Sequence, residues 1–204
     1  QTKESKRIYS ETSYGLGIKS LNTYGGNTYF IKMNVSKDDN DLYSISSDGL
    51  YQIQDNDVKC VITDNIYGYC IDSKMHNLYY SRLDDTGIYM YNTDSCESVK
   101  IFEDPEGSQC FTLTYDGEYI WLDDTIYKDA AKYFNKQSQT LNYTIYQLSK
   151  DGELIARRVL DDDEKIFAIM HGDKTRMFMF SLKKDAIIYI DKSDIANGDI
   201  KEFR

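Results

Sequence analysis

Four stretches of the chain carry the same strand pattern, and this internal repeat constrains the architecture more than any single residue does. In each, an aromatic (Tyr43, Tyr80, Trp121, Phe180) is followed by an apolar-Tyr unit (Leu50-Tyr51, Ile88-Tyr89, Ile145-Tyr146, Ile188-Tyr189). A basic residue then follows, with an apolar one two places on (Lys59/Val61, Lys100/Phe102, Arg158/Leu160, Lys201/Phe203).

The second repeat resolves into four short strands, Tyr69-Cys70-Ile71, Leu78-Tyr79-Tyr80-Ser81, Gly87 to Tyr91 and Val99 to Phe102. Turn formers separate them: Asp72-Ser73-Lys74, Asp84-Asp85-Thr86-Gly87 and Asn92-Thr93-Asp94-Ser95. Four antiparallel strands recurring at about 40 residues read as an all-β chain, a β-propeller with four recognisable four-stranded blades. The blades are placed at 28–63, 67–103, 110–160 and 166–203. Residues 1–27 form an N-terminal segment with a weaker echo of the pattern in Arg7-Ile8-Tyr9-Ser10 and Gly15 to Lys19, a partial blade or a ring-closing strand.

Nineteen Tyr and eight Phe beside one Trp and one Pro suit pleated surfaces, and the 204 residues show no composition break, so one domain is expected. A formal charge of -10 argues against nucleic acid and against an anionic membrane surface, because both are bound by clustered Lys and Arg. No apolar run approaches the ~20 residues of a membrane span. The start at Gln1 without Met is expected from removal of an upstream export segment or from truncation.

Cys60, Cys70, Cys96 and Cys110 match no CxxC metal or redox spacing, which argues against zinc. Cys60, Cys70 and Cys110 fall in strand-like stretches and are expected to be buried free thiols; a Cys60–Cys70 or Cys70–Cys110 disulfide is the alternative in an exported protein.

Because blade strands alternate direction, second-to-third-strand loops and blade-to-blade connections share one face. That face collects Asp48, Asp64, Asp84, Asp85, Glu103, Asp104, Glu106, Asp123, Asp124, Asp161, Asp162, Asp163 and Glu164. The opposite face mixes Lys37, Lys74, Lys150, Lys174, Arg176 and Lys192 among its acids. The acidic face would attract a cation or a basic partner. No cofactor is expected; oxygen-rich loops of this kind can ligate calcium, but no DxDxDG loop occurs, which argues against it.

One blade breaks the rhythm. From Trp121 to Tyr146 is 25 residues, where the other repeats have 8 or 9, so 123–142 is an insertion on the acidic face. Lys128 to Phe134 could make a short helix within it, with Tyr133 and Phe134 available to a ligand. Catalytic signatures are thin. His76 and His171 fall in first-to-second-strand turns and are expected to be exposed, and no GxSxG, HExxH or phosphate loop occurs.

The Leu78-Tyr79-Tyr80-Ser81 and Tyr119-Ile120-Trp121-Leu122-Asp123 segments, with Gly-Leu-Tyr or Gly-Ile-Tyr following in two blades, resemble the YWTD-type repeats of low-density-lipoprotein-receptor propellers. They are more similar still to a bacterial β-propeller family of unassigned function found in exported proteins of Gram-positive anaerobes. The resemblance covers residues 28 to 203 and implies architecture rather than activity. No blade has an intact Tyr-Trp-Thr-Asp, six blades do not fit this length, and no ligand residue carries over.

The leading expectation is a non-enzymatic binding module, extracellular or at the cell surface, for a protein, peptide or glycan. Its ligand-binding residues are Tyr127, Tyr133, Phe134, Asp123, Asp124, Asp84 and Asp85, with Trp121 a further anchor that its aligned position assigns to the blade core. Two other readings stand beside it. One is a polysaccharide hydrolase or lyase using channel carboxylates; the other is an assembly subunit whose blade edges pair into a homodimer.

Overall fold

A computed structural model describes residues 17–37, 43–72, 74–105, 107, 110–124, 143–160, 166, 168–181 and 183–203. The described chain is all-β, apart from one 3-10 turn at Lys192–Asp194, and forms four four-stranded antiparallel sheets. Each is an up-and-down meander of consecutive strands, the pattern of propeller blades. The first holds β1 (Gly17–Tyr24), β2 (Asn27–Lys37), β3 (Tyr43–Gln54) and β4 (Asp57–Ile62), and the second β5 (Ile66–Asp72), β6 (Asn77–Arg82), β7 (Gly87–Asn92) and β8 (Glu97–Glu103). The third holds β9 (Thr112–Tyr115), β10 (Tyr119–Asp123), β11 (Tyr143–Ser149) and β12 (Leu154–Leu160), and the fourth β13 (Ala168–Gly172), β14 (Arg176–Ser181), β15 (Ala186–Asp191) and β16 (Lys201–Glu202). The chain divides into two compact units, 1–66 and 67–204.

In the first unit the sheet begins at Gly17, not at Thr28, and residues 17–24 are its own first strand rather than part of a further blade. The shift displaces the repeat. Tyr43 opens the third strand, and the ring that faces Tyr51 across the sheet is Phe30, stacked at 5.6 Å. Asp48 therefore lies in a strand, at a bulge, and not in a loop. Gly49 makes that bulge possible: its φ is +122°, and a Cβ there would lie 2.1 Å from the Ile62 carbonyl oxygen. Residues 7–16, the other half of the N-terminal echo, lie outside the described residues.

In the second unit the sheets pack face to face. Between the second and third sheets lie Cys70, Tyr79, Ile88, Phe111, Ile120, Leu122, Tyr146 and Leu148. Between the third and fourth lie Trp121, Tyr143, Ile145, Met177, Met179, Ile188 and Ile190. Alternation in β10 and β11 explains the sorting: Trp121 and Ile145 point to one neighbour, Leu122 and Tyr146 to the other. Truncating one of these large side chains to Ala costs about 3–5 kcal/mol.

The repeated aromatics confirm the register in part. Tyr80 pairs with Tyr89, their rings stacked at 5.2 Å, but Tyr189 faces Phe178 rather than Phe180, and Tyr146 faces Leu122 rather than Trp121. The basic residue opposite each tyrosine is Lys100, Arg157 and Lys201 in the second unit, and in the first sheet Cys60 takes that place. His171 belongs to β13, not to a turn, whereas His76 is an exposed turn residue with φ +55° beside Asp94. All four cysteines are free, so neither disulfide alternative is formed.

Candidate functional site

The insertion leaves the third sheet after Asp124 and returns at Tyr143; its residues 125–142, including Tyr127, Tyr133, Phe134 and the expected helix, lie outside the described residues. Its base is well defined. Asp123 and Asp124 are 1% and 0% exposed, as are Tyr143 and Thr144 at 1% each. Asp124 Oδ1 accepts the Thr144 N–H at 2.9 Å, which ties the two ends of the insertion together. The Thr112 hydroxyl donates to the Asp123 carboxylate and so fixes β10 to β9.

A third carboxylate reaches this base from the connection between sheets. Asp104 is 3% exposed and accepts the Tyr146 hydroxyl at 2.9 Å. Burial, followed by Asp104 and the charge of Asp124, pushes the Tyr146 phenol well above its ordinary pKa, with Arg157 opposing. The Arg157 guanidinium lies 6.0 Å from the Tyr146 ring centre and Phe111 meets the ring edge-on at 5.5 Å. Tyr146 thus stays a proton donor, and the carboxylates here serve as acceptors that hold strands and connections in place.

Asp84 and Asp85 belong to the corresponding end of the second sheet. Exposed Asp84 pairs with Arg82 at 3.0 Å. Asp85 accepts Gly87 N–H at 2.6 Å and the Tyr89 hydroxyl at 2.9 Å, and pairs with Lys100 at 3.0 Å. Burial opposes its ionisation, yet Lys100, Tyr89 and Gly87 hold its pKa below the usual carboxylate value. In the first unit Asp48 is held low by Lys32, paired at 2.8 Å. In the second unit Asp85, Asp104, Asp123 and Asp124 are thus at least partly buried and internally tied, while Asp84 and Glu103 are exposed. Asp161 to Glu164 and Glu106 lie outside the described residues.

Trp121 is 0% exposed and its indole N–H donates to Asp116 at 2.7 Å, which makes it core. Lys192, expected among the turn residues of the opposite face, is buried in an ion pair with Asp116. Sequence reasoning read Asp72 only as a turn former and did not single out Asp116, although an Asp at the turn from first to second strand was a readable signal there too. Among the described residues no three His, Cys, Asp or Glu converge as a metal group. A hollow of about 480 Å³ lined by Met90, Asn92, Ser95, Glu97, Ser98 and Val99 lies at the end of the second sheet away from Asp104. No helix of the described residues is long and apolar enough to cross a membrane.

No protein-family model and no curated protein matches the sequence. Solved structures do match. A putative gluconolactonase is 11% identical with a TM-score of 0.61, over 97% of this chain and 66% of that one. The acylaminoacyl peptidase of Pyrococcus horikoshii is 11% identical with a TM-score of 0.60, over 92% of this chain and 32% of that one. An auxiliary nutrient binding protein of Bacteroides ovatus is 7% identical with a TM-score of 0.59, over 95% of this chain and 48% of that one. This chain thus spans about a third of the peptidase and about half of the nutrient binding protein. At such identities the likeness shows the fold alone, an all-β arrangement of propeller type.

Proposed function

We propose that this chain is a non-enzymatic binding module of an exported bacterial protein, which engages a protein, peptide or glycan through the 123–142 insertion and the acidic loops beside it. The observation that carries the reading is the Asp124–Thr144 hydrogen bond, which closes the insertion on a buried, rigid base. A loop that departs from a repeat and is anchored at both ends is where such folds place function. Tyr127, Tyr133 and Phe134 supply large apolar contacts at low entropic cost. A net charge of -10 favours a basic or neutral ligand. The nutrient binding protein among the similar structures gives the same class of role a precedent on this fold.

The test is a peptide and glycan array probed with the wild-type chain and with a Tyr133→Ala/Phe134→Ala variant. Ligands captured by the wild type should lose at least about tenfold in affinity in the variant, with the melting temperature unchanged. Undiminished capture by the variant would overturn the placement.

A further inference from the structure

The strands β4, β8, β12 and β16 end the four sheets, each with a hydrogen-bonded neighbour on one side only. Such an edge offers N–H and C=O groups to another strand unless something guards it. Three of the four are guarded. β16 is two residues long. On β8 a register shift leaves Ile101 bulged, and its carbonyl lies against Gly152 of the third sheet, where a Cβ would come within 2.0 Å of the oxygen. On β12 Ile155 is bulged and Arg158 donates to the Gly198 carbonyl of the β15–β16 connection. Arg157 and Arg158 are also neighbours there, so a twofold pairing about the strand centre would set guanidinium against guanidinium.

β4 is open. Its bulge falls at Val61, so residues 57–60 pair with β3 without interruption. The turn into it, Asp55-Asn56, has φ of +49° and +72°, a two-residue hairpin that Gln54 and Asp57 close. Backbone groups alternate in direction along a strand, so the N–H and C=O of Val58 aim away from β3. The Val58 side chain is 37% exposed, and across the pair stands half-buried Ile53. Asp57 and Lys59 flank it, both exposed, and neither forms an ion pair among the described residues. The segment is complementary to itself. In an antiparallel twofold about Val58, each Val58 faces its counterpart and each Asp57 faces the second copy's Lys59.

We propose that β4 is the edge through which two copies of this chain associate, joined antiparallel about Val58 so that their first sheets run on as one sheet of eight strands. The two Val58 residues exchange backbone hydrogen bonds, an Ile53–Val58–Val58–Ile53 row forms on one face, and two Asp57–Lys59 pairs form on the other. The order of charges fits a second copy because it matches its own reverse. The contact is small, and a dissociation constant on the order of 100 µM is expected. The edge belongs to the first unit and the insertion to the second, so failure of this proposal leaves the binding reading untouched.

The experiment is sedimentation of the wild-type chain from about 5 to about 500 µM in about 0.15 M salt, where screening beyond ~8 Å mutes the repulsion between distant charges. A dimer should form with rising concentration, and the Val58 amide should gain protection from hydrogen exchange only as it forms. Asp57→Lys and Lys59→Asp each set like charges opposite one another and should weaken association at least about tenfold. The Asp57→Lys/Lys59→Asp swap restores opposite charges and should return association to within about threefold of the wild type. All four chains should melt alike at the lowest concentration, because the substituted side chains are exposed. A chain that stays monomeric at the highest concentration, a dimer that neither single substitution weakens, or a loss that the swap does not repair overturns the proposal.

Discussion

Between the third and fourth sheets, Asp116 is surrounded by Lys192, Trp121 and two backbone N–H groups, whereas between the second and third, Asp72 has its two backbone N–H groups, two neutral phenols and a thiol. Both carboxylates shape a hairpin in the same way, yet among the described residues only Asp116 is paired with a cation. The repeat thus copies the backbone duty of the aspartate from blade to blade, while its second oxygen is left to the side chains of the neighbouring sheet. What distinguishes one interface from the next is decided by tertiary contact and not by the repeat.

The sharpest way to break this contrast is Lys192→Met. It leaves Asp116 buried without its counter-ion and should cost about 3–5 kcal/mol, a fall of about 10 °C in melting temperature. The Asp116→Asn/Lys192→Met double variant should recover part of the loss, since no charge is then stranded. The same pair predicts acid sensitivity. Burial opposes ionisation of Asp116, but Lys192, the Tyr119 N–H, the Trp121 indole and the Glu118 N–H hold its pKa below the usual carboxylate value. A depressed carboxylate contributes stability above its unfolded pKa of about 3.9 and loses it as pH falls through the lower folded value. Urea unfolding below about pH 4 should therefore show a steeper loss in the wild type than in Asp116→Asn.

At the interface of Asp72, Gly152→Ala should come next in size. Gly152 has φ +90°, and a Cβ there would lie 2.0 Å from the Ile101 carbonyl oxygen of the second sheet, so the substitution combines strain with a clash between sheets. About 2–3 kcal/mol is expected, read from denaturant midpoints. Tyr146→Phe removes the donor to buried Asp104 and should cost about 1–2 kcal/mol by the same measurement. Smallest is Arg176→Met. The Arg176–Asp173 pair is solvent-exposed, and the melting temperature should stay with the wild type, which makes this variant the control for the buried pair.

The second sheet was legible almost strand by strand because its turns announce themselves. Asp72, Asn92 and Gly87 sit where hairpins need Asx caps or close approach, and Asn92 Oδ1 indeed accepts the N–H groups of Asp94 and Ser95. The first sheet was misread for the opposite reason. Its opening strand carries exposed Ile18 and Leu21, a bulge and a positive φ at Ser20, so no clean alternation marks it, and the search for an aromatic ahead of Leu50-Tyr51 fell on Tyr43. The acidic face was legible as a set of loop carboxylates, but the burial of Asp104, Asp123 and Asp124 was not, because a turn-forming Asp and a strand-tying Asp look alike in sequence. Lys192 was hidden in the same way: nothing local distinguishes a buried lysine from a solvated one until Asp116 arrives from another sheet.

The central claim is that the sheets are a rigid base and the insertion is the working part. The measurement that tests it most directly replaces residues 125–142 by a short glycine-containing hairpin turn and follows melting and array binding together. The account predicts a melting temperature within about 3 °C of the full chain and the loss of every captured ligand. Ligand capture that survives the replacement, or a chain that no longer folds without the insertion, would contradict it.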